Sequence, residues 1–321
     1  MKPTKIKAWP ELVDYLSSLP LLREPTLDPL PEAREIEIDF GSVRVVTSTG
    51  LTVFLLRLLR TLKKQNTVAI RSDCSPSARD ELDRLGAFAH LGGPLHALQH
   101  EFVLGNAVPE TIYAPKQDMV KLPIYRLSFN GTPDRRQAVH AFVKLISGAL
   151  APLAKIYNLP ANGLAMLLNE IAKITADHAG HDALFGMDVI PASAGSARLT
   201  FCFGDLGPGI KNHIEKNMPA ELADRHRHMS LYEAYRLALR PGYTSCSSQL
   251  NRGYGMSIII QCAIDMNIHL SIFDATSRGL LSHINTSEPP SHASVRRIFH
   301  NIGHDVGFYY YGEMILIPTR P

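Results

Sequence analysis

Leu199–Ile210 reads LTFCFGDLGPGI, and Asn251–Ile260 reads NRGYGMSIII. The first is a strand-like apolar run that ends in an acid, Asp205, followed by Gly207 and Gly209. The second is a Gly-x-Gly turn, Gly253 and Gly255, ahead of a strongly apolar segment that suits a helix. Upstream of both, LAMLLNEIAKITADHAGHD (Leu164–Asp182) has the apolar period of an amphipathic helix and carries Glu170. Glycines let backbone come close to a flat base or to phosphates. A helix start offers its unpaired N–H groups to those phosphates. Any one of these pieces alone describes a common turn; in this order they describe one nucleotide pocket.

The acidic helix, the Asp-x-Gly-x-Gly-Ile turn and the Gly-x-Gly-Met-Ser turn together resemble the GHKL (Bergerat-fold) ATPases. That superfamily includes gyrase, the histidine kinases and the anti-sigma serine kinases. The resemblance runs over about residues 125–321. It implies an α/β two-layer sandwich, a mixed sheet with helices on one face, that binds ATP. By the same resemblance Glu170 orients or deprotonates the attacking group. Asp205 accepts a hydrogen bond from the adenine amino group, with Gly207 and Gly209 clearing space for the base. PGYTSCSSQLNRGYGMS (Pro241–Ser257) resembles the end of the family's phosphate lid. Thr244 and Ser245 are then phosphate contacts, and Arg252, Gly253, Gly255 and Met256 cradle the phosphates. Lys211, Arg225, Arg227, Arg236 and Arg240 lie in the expected lid, where cations neutralise triphosphate charge.

One position departs from the family pattern. Four residues after the glutamate the family places an asparagine that binds Mg²⁺, and here stands Ile174. An alkyl side chain offers no oxygen to a hard cation. Three readings follow: Asp177, one turn on, supplies the oxygen; phosphates and water hold the metal; or nucleotide binds without efficient turnover. His178 matches a histidine common in the kinase branches, and two histidines at helical spacing, His178 and His181, make a weak metal signal.

The amino-terminal half has a different pattern. Residues 1–33 read as a lead-in segment, with a short helix over WPELVDYLSSL (Trp9–Leu19) and then four prolines. From there EIEIDF alternates like a half-buried strand, Leu51–Lys64 reads as a helix, TVAIRSD as a buried strand, and PSARDELDRLGAF as a helix closed by Gly86. Strand, helix, strand, helix predicts an α/β module with a parallel pair. Asp39 at a strand end, TSTG at 47–50 opening a leucine-rich helix, and the LDRLGAF ending resemble a STAS domain, the fold of the anti-anti-sigma factors. That resemblance makes Ser48 a candidate phosphoacceptor. The alternative is that Ser48 or Thr49 simply caps the helix. The domain expectation is STAS-like over 34–115, a linker over 116–124, and the nucleotide domain over 125–321. Residues 280–305 read as an insertion.

Composition bounds the rest. A chain of 321 residues with 45% hydrophobic and 20% charged residues can bury two sizeable cores. A formal charge of +3 provides no field for nucleic acid. Four scattered cysteines fit a reducing cytosol. No apolar run reaches the ~20 residues that cross a bilayer, so the expectation is a cytoplasmic protein without membrane contact. Function divides two ways. One reading is an enzyme, an ATP-dependent serine/threonine kinase or slow ATPase of the anti-sigma type. The other is a catalytically degenerate module whose ATP occupancy controls a regulatory protein partner or self-association. A sensor histidine kinase is disfavoured, because no histidine stands in an H-E/D-x-x-x-P setting.

Overall fold

The computed structural model describes residues 4–7, 11–12, 35–39, 43, 45–61, 67–71, 76–87, 120–129, 135–178, 182–217, 231–240, 242, 253–274, 280–284, 295–299 and 308–319. β1 (Thr4–Lys7) and β2 (Glu11–Leu12) lie in the stretch expected to be a lead-in. β1 pairs in parallel with β3 (Glu35–Asp39), and β2 with β4 (Val45–Val46). Glu11–Leu12 is therefore strand where the periodicity predicts a helix. Over so short a stretch local helix preference is weak, because nucleation is costly and strand pairing outweighs it. α1 (Ser48–Thr61) leads to β5 (Thr67–Arg71), which pairs in parallel with β3 and gives the order β1-β3-β5. α2 (Pro76–Arg84) ends at Gly86, whose φ of 84° suits glycine. The α/β module with a parallel pair is thus present.

The expected linker is partly strand. β6 (Val120–Lys121) and β7 (Tyr125–Leu127) both pair with β8 (Ala183–Pro191). Lys121 faces Asp188 and Tyr125 faces Phe185, so the edge carries one extra residue across 122–124, a β-bulge. At the bulge the Ile124 amide turns away to donate to the Leu85 carbonyl, 3.0 Å. Lys121 also bridges inward, to Glu81 at 2.7 Å and to the Val46 carbonyl at 2.8 Å. The edge strand therefore joins the two halves of the chain.

α3 (Arg135–Ile156) and α4 (Ala161–His178) pack together ahead of the β8 hairpin. β9 (Ala197–Asp205) returns along β8 after a 3-10 turn at Ser193–Gly195. Then come α5 (Gly209–Asn217), α6 (Leu231–Ala238) and α7 (Gly255–Asp265). β10 (His269–Asp274), β11 (Leu280–Ile284), β12 (Val295–Phe299) and β13 (Phe308–Leu316) complete an eight-stranded sheet. β11 and β12, which fall in the expected insertion, extend its edge.

Every ladder in this sheet is antiparallel, which corrects the expectation of a mixed sheet. β9 and β10 do run the same way, but β13 inserts between them and pairs antiparallel with both. Alternation along the strands divides the sheet into two faces. Phe185, Met187, Phe201, Phe203, Tyr310 and Ile272 point inward to one core with α3, α4 and α7. Leu184, Cys202, Tyr309 and Tyr311 point the other way and are also buried. The helices expected on one face are joined by α1 on the second. Its Leu51, Val53, Phe54, Leu55 and Leu56 are each 1% exposed or less. A second apolar face this large must be covered, and burying each such side chain contributes about 1.5–3 kcal/mol.

By length and mean hydropathy alone α3 passes for a helix that could cross a bilayer, although Arg135, Arg136, Lys144 and Lys155 interrupt its apolar runs. Its Phe142, Ile146 and Leu150 are fully buried in the inner core.

Candidate functional site

α4 and α7 pack side by side, and their contact is set by glycine. A Cβ on Gly255, the first residue of α7, would stand 2.9 Å from Ile174 Cδ1 and 3.8 Å from Glu170 Oε2. Glycine lets the α7 start come down onto the acidic stripe of α4. Tyr254 at the cap position supplies no side-chain acceptor to the first-turn amides, so that end keeps the positive field of a helix start. Gly253 takes φ of 74°, and its carbonyl accepts the Gly242 amide at 3.1 Å. The Gly-x-Gly turn is thereby tied to the chain leaving α6. Glu170 is 15% exposed at its side chain and receives Lys173 Nζ at 2.7 Å.

Asp205 ends β9 almost fully buried, and its Oδ1 accepts the Gly207 amide at 2.7 Å. It thus closes an Asx turn as well as facing the site. Gly209 opens α5 with φ of 78°, a conformation that favours glycine. A residue the motif reading misses touches the α7 start and lies in the field of Asp205. Tyr310 on β13 donates to Met256 Sδ at 3.3 Å, and its buried hydroxyl is held above its ordinary pKa by burial and then by the Asp205 charge. The signal for it was the YYY run in the last strand, whose middle member falls on the inner face.

The structure therefore brings together Glu170, Ile174, Gly255, Met256, Tyr310 and Asp205. Asp177 has different surroundings. Burial raises its pKa, while the charges of Arg135, Lys173 and Arg136 pull it back. His178 pairs instead with His213 of α5, Nδ1 to Nε2 at 2.8 Å, and Asn217 Nδ2 stands 3.3 Å from the same Nε2. Burial lowers the pKa of both rings, and the His178 and Lys216 charges add to it at His213, which falls to about 4. Lys211 lies 3.6 Å from Glu215. Thr244, Ser245, Arg252, His181, Arg225 and Arg227 lie outside the described residues.

The described residues offer the expected Mg²⁺ few protein ligands. Ile174 puts alkyl carbon where an oxygen is needed, and among the described residues no group of three or more His, Cys, Asp or Glu could hold a metal.

Ser48, the candidate phosphoacceptor, is fully buried on the opposite face of the sheet. Its Oγ donates to the Leu122 carbonyl at 2.6 Å. A modifying enzyme reaches that hydroxyl only after α1 leaves the sheet. The helix cap is Thr47 rather than Ser48 or Thr49: Thr47 Oγ1 accepts the Gly50 amide at 3.1 Å. The Ser48 and Thr49 amides donate to Oδ1 and Oδ2 of Asp188, both at 2.8 Å.

Searches of protein-family models, of curated proteins and of solved structures give no match to this chain.

Proposed function

We propose that the carboxy-terminal half is an ATP-binding domain of GHKL type, preceded by a STAS-like module, and that the protein acts in regulation in the cytoplasm. The observation that supports this most is the seating of Gly255 on Glu170 and Ile174. It places the start of α7, whose cap residue Tyr254 makes no side-chain cap hydrogen bond, beside an acid, while Tyr310 donates to Met256 of the same helix and lies in the field of the buried Asp205. In this reading Asp205 selects the base through its carboxylate and the turn from Gly253 to Met256 holds phosphate oxygens. Glu170 orients the attacking group. Thr244, Ser245 and Arg252 complete the phosphate side.

Between the two activities, the alkyl side chain of Ile174 favours the binding module over the kinase. A triphosphate beside Ile174 gains no metal ligand from that helix position, so transfer is slow and occupancy is the signal. The partner class is a regulatory protein or a second copy of the chain.

Calorimetric titration with ATP tests the site. Asp205→Ala should lower affinity at least about tenfold with the fold intact, since a charge-assisted hydrogen bond contributes roughly 1.5–3 kcal/mol. Asp205→Asn retains an acceptor for the Gly207 amide and should still lose adenine selectivity over guanine. Unchanged ATP affinity in both variants, or no ATP binding by the native chain, overturns the proposal.

A further inference from the structure

α1 sits on the outer face of the sheet at two places where the strand beneath carries glycine. Gly186 of β8 lies under its first turn, where a Cβ would stand 2.6 Å from the Ser48 carbonyl oxygen and 2.7 Å from Ser48 Oγ. Gly204 of β9 lies under Leu56, where a Cβ would meet Leu56 Cδ1 and would stand 2.6 Å from Tyr309 Cβ. Beyond Gly186, on the side away from Gly204, Asp188 of β8 holds the helix start by three hydrogen bonds from Ser48 and Thr49. Gly204 is followed directly by Asp205. Strand alternation points the Asp205 side chain to the inner face while Leu56 presses on the backbone from the outer one. α1 thus bears on the strand end that carries the proposed base contact.

We infer that α1 is a positioning element for Asp205, with Leu56 fixing the end of β9 and Asp188 holding the helix in register. The inference rests on Asp205 being the nucleotide contact. A sheet packed on both faces has no free volume into which one strand end can relax alone. Withdrawing α1, or hollowing out its contact at Gly204, therefore changes where the Asp205 carboxylate stands. Coupling of this kind is reciprocal: if seated α1 strengthens nucleotide binding, bound nucleotide must hold α1 more firmly on the sheet by the same factor. The amino-terminal module is then both a readout of the site and a control on it. A helix that merely covers apolar surface would contribute stability and leave nucleotide affinity alone.

The full chain is tested in two ways. ATP affinity is measured by calorimetry for the native protein and for Leu56→Ala, Asp188→Asn and Leu82→Ala, at a temperature where circular dichroism shows each folded. Leu82 is equally buried but lies in α2, so its variant reports general loosening. Leu56→Ala and Asp188→Asn should weaken ATP about fivefold or more, in the usual range of coupling between sites, and Leu82→Ala should not. Amide exchange with and without ATP gives the reverse direction. ATP should slow exchange of the Ser48 and Thr49 amides more than that of amides in α2, and Leu56→Ala should remove the difference. Native protein that binds ATP, with affinities of all three variants within twofold of it and no selective protection of α1, overturns the inference. Native protein that binds no ATP overturns the nucleotide reading itself.

Discussion

Asp188 accepts two hydrogen bonds from Thr49, one from its amide and one from its hydroxyl, each 2.8 Å and spanning 139 positions of sequence. A third comes from the Ser48 amide to the other carboxylate oxygen. Thr47 takes the Gly50 amide through its hydroxyl, and its carbonyl takes the Leu51 amide at 3.0 Å. The orphan amides of Ser48, Thr49 and Gly50 are thereby satisfied inside a buried interface, and the Leu51 amide opens the intrahelical ladder. Burial still pushes the Asp188 pKa up, against the pull of these bonds and of the Lys121 charge. The carboxylate is expensive where it stands, and its role is to fix where α1 sits. The apolar side chains of α1 provide the adhesion.

Asp188→Ala should therefore destabilise the whole chain. It strands two buried amides and a hydroxyl, and each stranded group costs roughly 1–3 kcal/mol, less the relief of no longer burying a charge. Asp188→Asn keeps the shape but turns one acceptor into a donor that faces N–H groups. Urea midpoints should fall for both variants. Midpoints equal to that of the native protein would mean that α1 is not docked on this carboxylate in solution.

A second prediction concerns Gly255. Alanine there meets the end of the Ile174 side chain at 2.9 Å, a neighbour that can swing aside, so the fold should survive. Overpacking costs about 1–3 kcal/mol, and the better helix propensity of alanine returns up to about 1 kcal/mol. Ile174→Val in the same chain should restore part of the loss, because it removes the Cδ1 that is struck. A double-mutant cycle on thermal midpoints measures this coupling. Strictly additive effects would show that α4 and the α7 start are not in contact.

The His178–His213 pair makes a pH prediction. Both folded pKa values lie below the ordinary 6.5, His213 at about 4. As pH falls through 6.5 the unfolded chain takes up protons that the folded one refuses, so stability is full above that pH and erodes towards 4. Asn217 and Lys216 on α5 and His178 on α4 are the groups facing His213. His213→Asn should flatten the loss between pH 6.5 and 5. Comparing the slopes of denaturant midpoints in the two proteins cancels other groups such as Asp177. Identical slopes would show that the pair does not titrate in this window.

What the sequence discloses and what it hides follow from the range of the interactions. The α4 stripe, the strand that ends in Asp205 and the Gly-x-Gly turn that opens α7 are local patterns, and these elements stand where those patterns put them. β1 was hidden because Thr4–Lys7 acquires its strand character only from Glu35–Asp39. α1 reads as one-sided because its leucines share a helical face, yet Leu51, Val53, Phe54, Leu55 and Leu56 are all buried where it lies on β8 and β9. Asp188 occupies a polar slot in an alternating strand, and its partners lie 139 and 140 positions away. Thr47 took the cap from its neighbours by one residue, within the usual uncertainty of helix ends.

Ile174 supports the last prediction, because it sits where the metal-binding reading needs an oxygen. Its Cδ1 is packed toward Gly255, at the start of the helix proposed to hold phosphates. Among the described residues no group of three or more His, Cys, Asp or Glu offers a replacement ligand set, and Asp177 is half-buried in the field of Arg135, Lys173 and Arg136. Nucleotide affinity should accordingly change little between Mg²⁺ and EDTA, and turnover should be slow. Ile174→Asn removes the alkyl group and adds a carbonyl oxygen one helical turn from Glu170. It should raise both Mg²⁺ dependence and hydrolysis, and Glu170→Ala in that background should remove the gain. Asp177→Ala separates the remaining alternative. If Asp177 supplies the oxygen, its loss lowers the Mg²⁺ dependence of the native protein; if it does not, nothing changes. Steady-state phosphate release and titrations with and without Mg²⁺ decide the matter. Fast Mg²⁺-dependent hydrolysis by the native chain, unaffected by Asp177→Ala, would mean that the metal is held by residues other than these.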